Sequence, residues 1–590
     1  MKKWQLKENK INKELINNNP DIPPVILQLL NSRGLSIQEI KSFLEPDYKE
    51  DLHDPFLFKD MKASVELIFK HIKENNKITV YGDYDADGVT ATAVMRKTLA
   101  FLGAEDLDIY IPHRETEGYG MNKNAVEESV KNGTKLIITV DTGIRSIDEI
   151  KLAKEKGIDV ILTDHHECGD KIPDCLIINP KVDGEIYPFR ELAGVGVAFK
   201  VAQALLLAHA DDDADKREYE SFEKWLLDLV AIGTIADLVP LINENRVLVN
   251  YGLVVLNKSS RVGLQKLIEI AQSDTDKNGN ARIIDAWQVG FQLAPRLNAA
   301  GRLGHANSAY QLLVTNDEKE GIKIANELDK TNKERQDITQ GIFEQVDQDI
   351  DENNKILFAV YNGTQERAWP SGVMGLVAGK LTEKYYRPAL AITTKEGNDG
   401  LEIVGSARSV AEFDITAMLE KCAEFLPHYG GHKQAAGFTV KADKLDDFLT
   451  KAKEITEREL KNIELIPTLE IDLEINFSDV SEDLYEALQK LKPFGVKNAQ
   501  PKFLSKSLKV VNSNFMGADS QHLKLKLQQN GKLFDAVAFN IIDEWKKIFA
   551  RGESALGGKV GNTIDLVYYV DMNEWNGRSE IQLKIIDIKN

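Results

Sequence analysis

From Lys77 onward the chain alternates short apolar runs with amphipathic stretches. KITVY (77–81), DIYIP (108–112), KLIITVD (135–141) and DVILTD (159–164) are short, strongly apolar and rich in β-branched residues, so they read as buried strands. Between them, VTATAVMRKTLAFLG, KNAVEESVKNG and SIDEIKLAKEKG carry apolar positions at helical spacing and close on a glycine. This alternation predicts a parallel, doubly wound sheet, whose ligands gather at the carboxyl ends of its strands. Residues 194–300 read as mainly helical, with DDDADKREYE (211–220) as a solvated loop. From 317 to 352 helical spacing persists on a heavily charged background, far beyond an ordinary helix, which predicts an element bridging two lobes. A second alternating unit starts at KILFAVYN (355–362) and runs to about 460. The final stretch changes to β-type runs, SLKVV, HLKLKLQ, TIDLVYYV and EIQLKIIDI, the pattern of a small all-β barrel or sandwich. Aromatics at strand spacing usually fill a core, which is the expectation for most of Phe503, Phe515, Phe534, Phe539 and Trp545.

Composition narrows the class. With 590 residues, 43% hydrophobic and 28% charged, the chain is long enough for several globular domains and is neither disordered nor fibrous. No run of 18 apolar residues marks a membrane span, and MKKWQLKENK lacks the apolar core of a secretory signal. Cys168, Cys175 and Cys422 are too few for a disulfide framework and fit a reducing cytosol, so a cytoplasmic location without membrane contact is expected. A net charge of −19 argues against a coat of nucleic acid. The charge is uneven, however: residues 501–590 carry 13 Lys+Arg against 10 Asp+Glu, while the first 500 carry 61 against 83. Binding through a local, salt-sensitive channel remains compatible with that distribution. No oligomerisation signal is present, so a monomer is expected.

The candidate chemistry sits where the first strands end. Asp83, Asp85 and Asp87 follow KITVY in GDYDADG, Asp141 ends KLIITVD, and Asp164, His165 and His166 end DVILTD, with Asp237 in the later IADLVPL. Three carboxylates within five residues repel one another beside a buried strand unless cations neutralise them. Mixed carboxylate and imidazole donors suit Mn²⁺, Mg²⁺ or Zn²⁺. The segment also imitates the start of a calcium loop, but Val94 stands where the closing Glu is needed and the segment follows a strand.

With VYGDYDADGVTATA, VDTG (140–143), TDHH (163–166), AGVGVAFK (193–200), GTIADLVPL (233–241), APRLNAAGRLG (294–304), GSARS (405–409), GGHKQAAG (430–437) and LKPFGVKNAQPKF (491–503) in this order, the chain closely resembles the DHH phosphoesterase superfamily, in its single-strand-specific 5′ exonuclease branch. The resemblance covers nearly everything from about residue 20. It implies a DHH-type parallel-sheet α/β lobe, a long helix, a DHH-associated α/β lobe and a C-terminal OB-type barrel. The corresponding division is 1–70 as an N-terminal helical extension, 71–315 catalytic, 316–354 connecting, 355–464 substrate-binding and 465–590 for nucleic acid.

The resemblance further implies two divalent cations, Mn²⁺ or Mg²⁺, one held by Asp85 and Asp141, the other by Asp87, Asp141, His165 and Asp237. Asp83 and Asp164 would orient ligands, Asp164 alternatively serving only as a cap on its turn, and His166 would lie near the scissile phosphate. Many relatives have His where Tyr81 stands, and often His and Glu where Pro370 and Ser371 stand. Arg114 is the implied 5′-phosphate anchor, and Ser406, Arg408 and the Gly-rich turn of Gly430, Gly431 and His432 the implied strand contacts. Arg296, Asn298 and Arg302 fit either a network joining lobes or contacts to the strand. The implied reaction is in-line hydrolysis of single-stranded DNA from a free 5′ end, releasing 5′-mononucleotides in recombination and repair. A single-strand-binding protein and a RecQ-type helicase are the implied partners, with association to the nucleoid during repair. The rival readings are a phosphatase for small nucleotides and a non-catalytic scaffold; the barrel argues against the first and the complete ligand set against the second.

Overall fold

The structure, a computed structural model, describes residues 2–8, 13–210, 213–272, 283–363, 368–397, 400–517, 521–539, 563–575 and 578–589. The chain forms two units, one of residues 52–239 and 243–466, the other of residues 1–51, 240–242 and 467–590.

The first unit begins with the predicted alternation: β1 (Ile78–Gly82), α1 (Ala86–Phe101), β2 (Leu107–Tyr110), α2 (Lys123–Lys131), β3 (Leu136–Val140), α3 (Ile147–Glu155), β4 (Asp159–Thr163) and a short β5 (Leu176–Ile178). All pairings are parallel, in the order β2-β1-β3-β4-β5. β1 and β3 are buried along their whole length, as strands covered by helices on both faces must be. Because the connections leave β1 on one side and β3 on the other, the switch point of the sheet lies between their carboxyl ends. Asp83–Asp87 and Asp141 are the residues that emerge there.

Helices α4 (Gly194–His209), α5 (Leu227–Ala236) and α6 (Ala294–Leu303) follow, and α4 and α5 pack on α1. The acidic insertion is not a loop: Asp213–Trp225 is a helix, since DADKREYESFEKW places Phe222 against Phe101, ring centroids 4.0 Å apart, while Lys216, Arg217 and Glu218 stay exposed. Within this helical layer Lys200 and Glu244 are both fully buried and 2.7 Å apart. Lys200 also donates to the His53 carbonyl at 2.9 Å, while Tyr187 O–H and the His53 N–H donate to Glu244 at 2.7 and 2.9 Å. Every strong group in this network is paired, so removing one member strands a charge. Lys200→Met is expected to destabilise this unit by about 3–5 kcal/mol, and Lys200→Met with Glu244→Leu to recover most of it, in urea unfolding. Equal stability of the single variant and the parent would contradict the assignment.

The long charged stretch is a single helix, α7 (Glu318–Asp347), of 30 residues, capped by Asp317 accepting from the Glu320 N–H at 2.8 Å. Beyond it lie β6 (Leu357–Val360), α8 (Met374–Tyr385), β7 (Ala389–Gly397), β8 (Gly400–Arg408), β9 (His428–His432) and β10 (Ala435–Val440), in the sheet order β9-β10-β8-β7-β6. Gly430, Gly431 and His432 therefore belong to an exposed edge strand, and the turn itself is Lys433–Gln434. Glycine reads as turn in one dimension, but here Gly431 is needed because a Cβ would sit 2.5 Å from Ala436 Cα across the hairpin.

In the second unit, β11 (Phe503–Met516), β12 (His522–Gln529), β13 (Lys532–Phe539), β14 (Thr563–Trp575) and β15 (Arg578–Lys589) pair in the order β11-β12-β13-β15-β14, and β14 returns to β11. The result is a closed five-stranded barrel of the OB type. Phe503 is buried and Phe534 packs against the core, but Phe515 and Phe539 are 55% and 52% exposed. Trp545 lies outside the described residues. A feature without a signal in the sequence pattern is the N-terminal strand Lys3–Leu6, which pairs in parallel with Thr468–Ile471. Ile26, Leu27, Leu30 and Phe43 share one core with Leu527 and Tyr568, so residues far apart in sequence close this unit.

Candidate metal centre

Backbone groups fix the acidic residues before any cation is considered. Asp85 caps α1, accepting from the Asp87 and Gly88 N–H groups at 2.9 and 3.1 Å. Asp87, on the first turn of α1, accepts from the Gly194 and Val195 N–H groups at 2.7 and 2.8 Å, at the start of α4. Asn298 of α6 accepts from the Ala86 N–H at 2.7 Å and steadies the same loop. Asp141 adopts φ 61°, the left-handed region that short polar residues tolerate, and Leu238 beside Asp237 does the same with φ 61°. Gly194 and Gly233 are close-approach glycines: a Cβ would lie 2.5 Å from Asp141 Cβ at one and 2.8 Å from Asp87 Oδ1 at the other.

The side chains converge. His165 Nε2 lies 3.1 Å from Asp141 Oδ1, 3.6 Å from Asp237 Oδ2 and 3.9 Å from Asp87 Oδ2. Possible ligand atoms group as Asp87, His165 and Asp237; as Asp83, Asp85 and Asp141; and as Asp141, His165 and His166, each within 4.8 Å. Asp83, Asp87, Asp141 and His165 are buried, and Asp83 Oδ1, Asp141 Oδ1 and His165 Nε2 have no hydrogen-bond partner. Buried polar atoms in that condition are costly unless something binds them. Burial and the charges of Asp87, Asp85 and Asp83 push Asp141 well above the carboxylate range, and burial with Asp85 raises Asp87 to about 7. Burial and the neighbouring His166 lower His165 to about 3, keeping the neutral imidazole a metal requires. The donor set fits divalent cations.

Asp164 stands behind these atoms. It accepts from the N–H groups of Ile144, His165 and His166 at 3.0, 2.7 and 3.1 Å, and from His166 Nδ1 at 2.8 Å. It thus caps its turn and orients His166. Burial lowers the His166 pKa, but the Asp164 hydrogen bond and the Asp164, Asp237 and Asp83 charges outweigh it and raise the value to about 9. Tyr81 donates its O–H to the Gly120 carbonyl at 3.1 Å.

The basic candidates divide. Arg296 is engaged by Asp329 of α7 at 2.9 Å and by the Gln292 carbonyl at 2.7 Å, and Asn298 accepts from the Ala86 N–H within the first lobe. Arg302 donates to the Gly372 carbonyl at 3.0 Å. Arg114 lies over the Tyr84 ring at 4.9 Å, and Arg408 and Ser406 flank Gly375 at the start of α8. His432 is exposed on its edge strand. Tyr119, which no motif singled out, approaches His166 Nδ1 through its O–H at 2.9 Å.

Strand order, switch-point carboxylates and the DHH triplet together define a DHH phosphoesterase core. The family models described as "DHH family, N-terminal domain", "DHHA1 domain" and "RecJ OB domain" match residues 77–234, 353–458 and 471–587. The single-stranded-DNA-specific exonuclease RecJ of Bacillus subtilis is 40% identical over 571 residues, 96% of this chain and 68% of that protein. Crystal structures described as RecJ from Thermus thermophilus in complex with Mn²⁺ and with Mg²⁺ match with TM-scores of 0.80 and 0.74 at 26% and 25% identity. Both matches cover the whole of this chain, and 79% and 78% of those chains. The chain belongs to the RecJ family. Among the described residues no helix is long and apolar enough to cross a membrane.

Proposed function

We propose that this chain is a metal-dependent 5′→3′ exonuclease specific for single-stranded DNA, acting in recombination and repair. The observation that carries the reading is the convergence of Asp87, His165 and Asp237 with Asp85 and Asp141 at the switch point of the sheet, in a chain of the RecJ family. Asp87, Asp141, His165 and Asp237 would hold one cation, Mn²⁺ or Mg²⁺, and Asp85 and Asp141 the other, with Asp83 Oδ1, which has no hydrogen-bond partner, beside them. Such cations, when bound, neutralise a phosphodiester and make a water nucleophilic near neutral pH. Asp164 fixes the His166 ring through Nδ1, which leaves Nε2 to donate to the scissile phosphate. Arg114, Arg302, Ser406 and Arg408 seat the terminal phosphate, and the Gly430–His432 edge receives the strand backbone.

The barrel binds the remaining strand, with Phe515 and Phe539 as exposed stacking faces. The domain division set out above assigns these roles to residues 71–315, 355–464 and 465–590. A single-strand-binding protein and a RecQ-type helicase are the expected partners of a cytoplasmic, monomeric enzyme that joins the nucleoid during repair. A long 5′-phosphorylated single strand and a dinucleotide, each incubated with the protein and Mn²⁺, distinguish this from a small-nucleotide phosphatase. Degradation of the long strand is expected; cleavage of the dinucleotide alone would overturn the reading.

A further inference from the structure

The loop that joins β2 to α2 is folded around its own carboxylate. Glu117 accepts from the His113 N–H at 2.6 Å and from Asn122 Nδ2 at 2.9 Å, and Tyr110 donates its O–H to the same group. Burial opposes ionisation of Glu117, but these hydrogen bonds hold its carboxyl below the usual range, so it stays charged near neutral pH. The loop bears Arg114, over the Tyr84 ring, and Tyr119, against His166. It is tied outward to the segment after α6, where the rings of His113 and His305 meet edge to face, centroids 5.6 Å apart and planes at 66°. Ser371 adds a further tie, donating to Glu115 at 3.3 Å.

Backbone groups select the protonation state of both rings. His113 Nδ1 accepts from the Glu115 and Thr116 N–H groups at 3.3 and 3.4 Å. His305 Nδ1 accepts from the Asn307 N–H at 3.1 Å, at the first turn of the helix Asn307–Val314. A nitrogen that accepts from an N–H carries no proton of its own, so each neutral ring keeps its hydrogen on Nε2. Protonating Nδ1 turns these contacts into meetings of donors and sets two cations side by side. Burial and the charge of His113 lower His305 below the ordinary histidine value of 6.5, against the pull of Glu117. With a lowered value, the closed arrangement keeps its stability above that pH and loses it as the pH falls further. The other charged groups on these elements are engaged: Glu115 by Ser371, Arg302 by the Gly372 carbonyl and Arg114 by the Tyr84 ring. Burial pushes Tyr310, on the helix Asn307–Val314, up, so it stays neutral.

We propose that His113 and His305 are positioning residues: as neutral rings they clasp the loop carrying Arg114 and Tyr119 to the segment after α6, and on protonation they release it, so that the grip on the strand end weakens in acid. The consequence for the strand rests on the nuclease reading above; the release of the loop does not. The clasp acts on binding of the strand end, so release raises KM, while kcat follows the metal centre.

The test compares the parent with the double variant His113→Asn, His305→Asn and with His305→Lys, all full length. Asparagine keeps an oxygen that accepts from the N–H two residues on, and it does not titrate. On a 5′-phosphorylated single strand in Mn²⁺, the parent KM is expected to rise about tenfold more than that of the double variant between about pH 7.5 and about pH 5.5, with matching kcat profiles. The second ionisation of the phosphate falls in the same range, but it is common to both proteins and cancels. Hydrogen–deuterium exchange, corrected for its own pH dependence, reads the loop without substrate. Protection of residues 113–117 and 305–307 is expected to fall in acid in the parent and to hold in the double variant. His305→Lys, a fixed cation, should show the acid exchange pattern and a raised KM already at about pH 7.5. An equal rise of KM in the parent and the double variant, parent protection that does not change with pH, or parent-like behaviour of His305→Lys overturns the proposal. If the loop opens in acid while the parent cuts no strand at any pH, the nuclease reading fails and the clasp stands.

Discussion

Asp141→Asn is expected to lower hydrolysis of single-stranded DNA by about a thousandfold or more while leaving strand binding within about twofold. Asp141 stands in two of the three ligand groups, so its loss affects both proposed cations together. Asparagine is the appropriate replacement because the backbone sits at φ 61°, which Asn accepts almost as readily as Asp. The fold should survive. A buried carboxylate among Asp83, Asp85 and Asp87 is a repulsive element when no cation is bound, so neutralising it relieves the protein. The melting temperature is expected to stay level or rise in the metal-free protein, and the stabilisation by added Mn²⁺ to shrink. Hydrolysis at the parent rate would remove the proposed centre.

The second large effect requires no change to a ligand. Gly194→Ala places a carbon 2.5 Å from Asp141 Cβ, closer than any real contact, and disturbs the N–H that holds Asp87. Asp141 and Asp87 must both shift, and shifts at the groups that orient ligands typically cost ten- to a hundredfold in metal affinity. Cleavage in limiting Mn²⁺ is therefore expected to fall by about a hundredfold, with partial recovery in excess metal. Gly341→Ala is the control: nothing lies within 4 Å of the added carbon on α7, and activity should be unchanged with a small gain in stability. If Gly194→Ala cleaves like the parent, α4 does not hold the centre in the way described.

What the sequence disclosed follows from the range of its physical signals. Parallel strands covered on both faces write themselves as short apolar runs, so β1, β3 and β4 were legible, and with them the strand ends where Asp85, Asp87, Asp141 and His165 emerge. The strand-helix alternation gave the switch point only as a class of place; the order β2-β1-β3-β4-β5 makes it the gap between β1 and β3. What stayed hidden depends on partners remote in sequence. KWQL carries no strong strand signal and becomes a strand by pairing with Thr468–Ile471. The Asp213–Trp225 helix hides its packing face behind the acidic and basic residues of DADKREYE, and composition alone made it look like loop. Tyr119 sits outside any recurring spacing, and only the fold brings it to His166. An oxygen of Asp83 stands within 4.8 Å of ligand atoms of Asp85 and Asp141, a matter of rotamer that spacing does not encode.

The account is tested most directly by following a 5′-phosphorylated single strand labelled at either end, beside a matched blunt duplex, with Mn²⁺ or with a chelator. The 5′ label is expected to leave at once as a mononucleotide and the 3′ label to remain on progressively shorter strands. The duplex and the chelated reaction should stay intact. Release beginning at the 3′ end, equal loss of the duplex, or cleavage that continues in the chelator would contradict it.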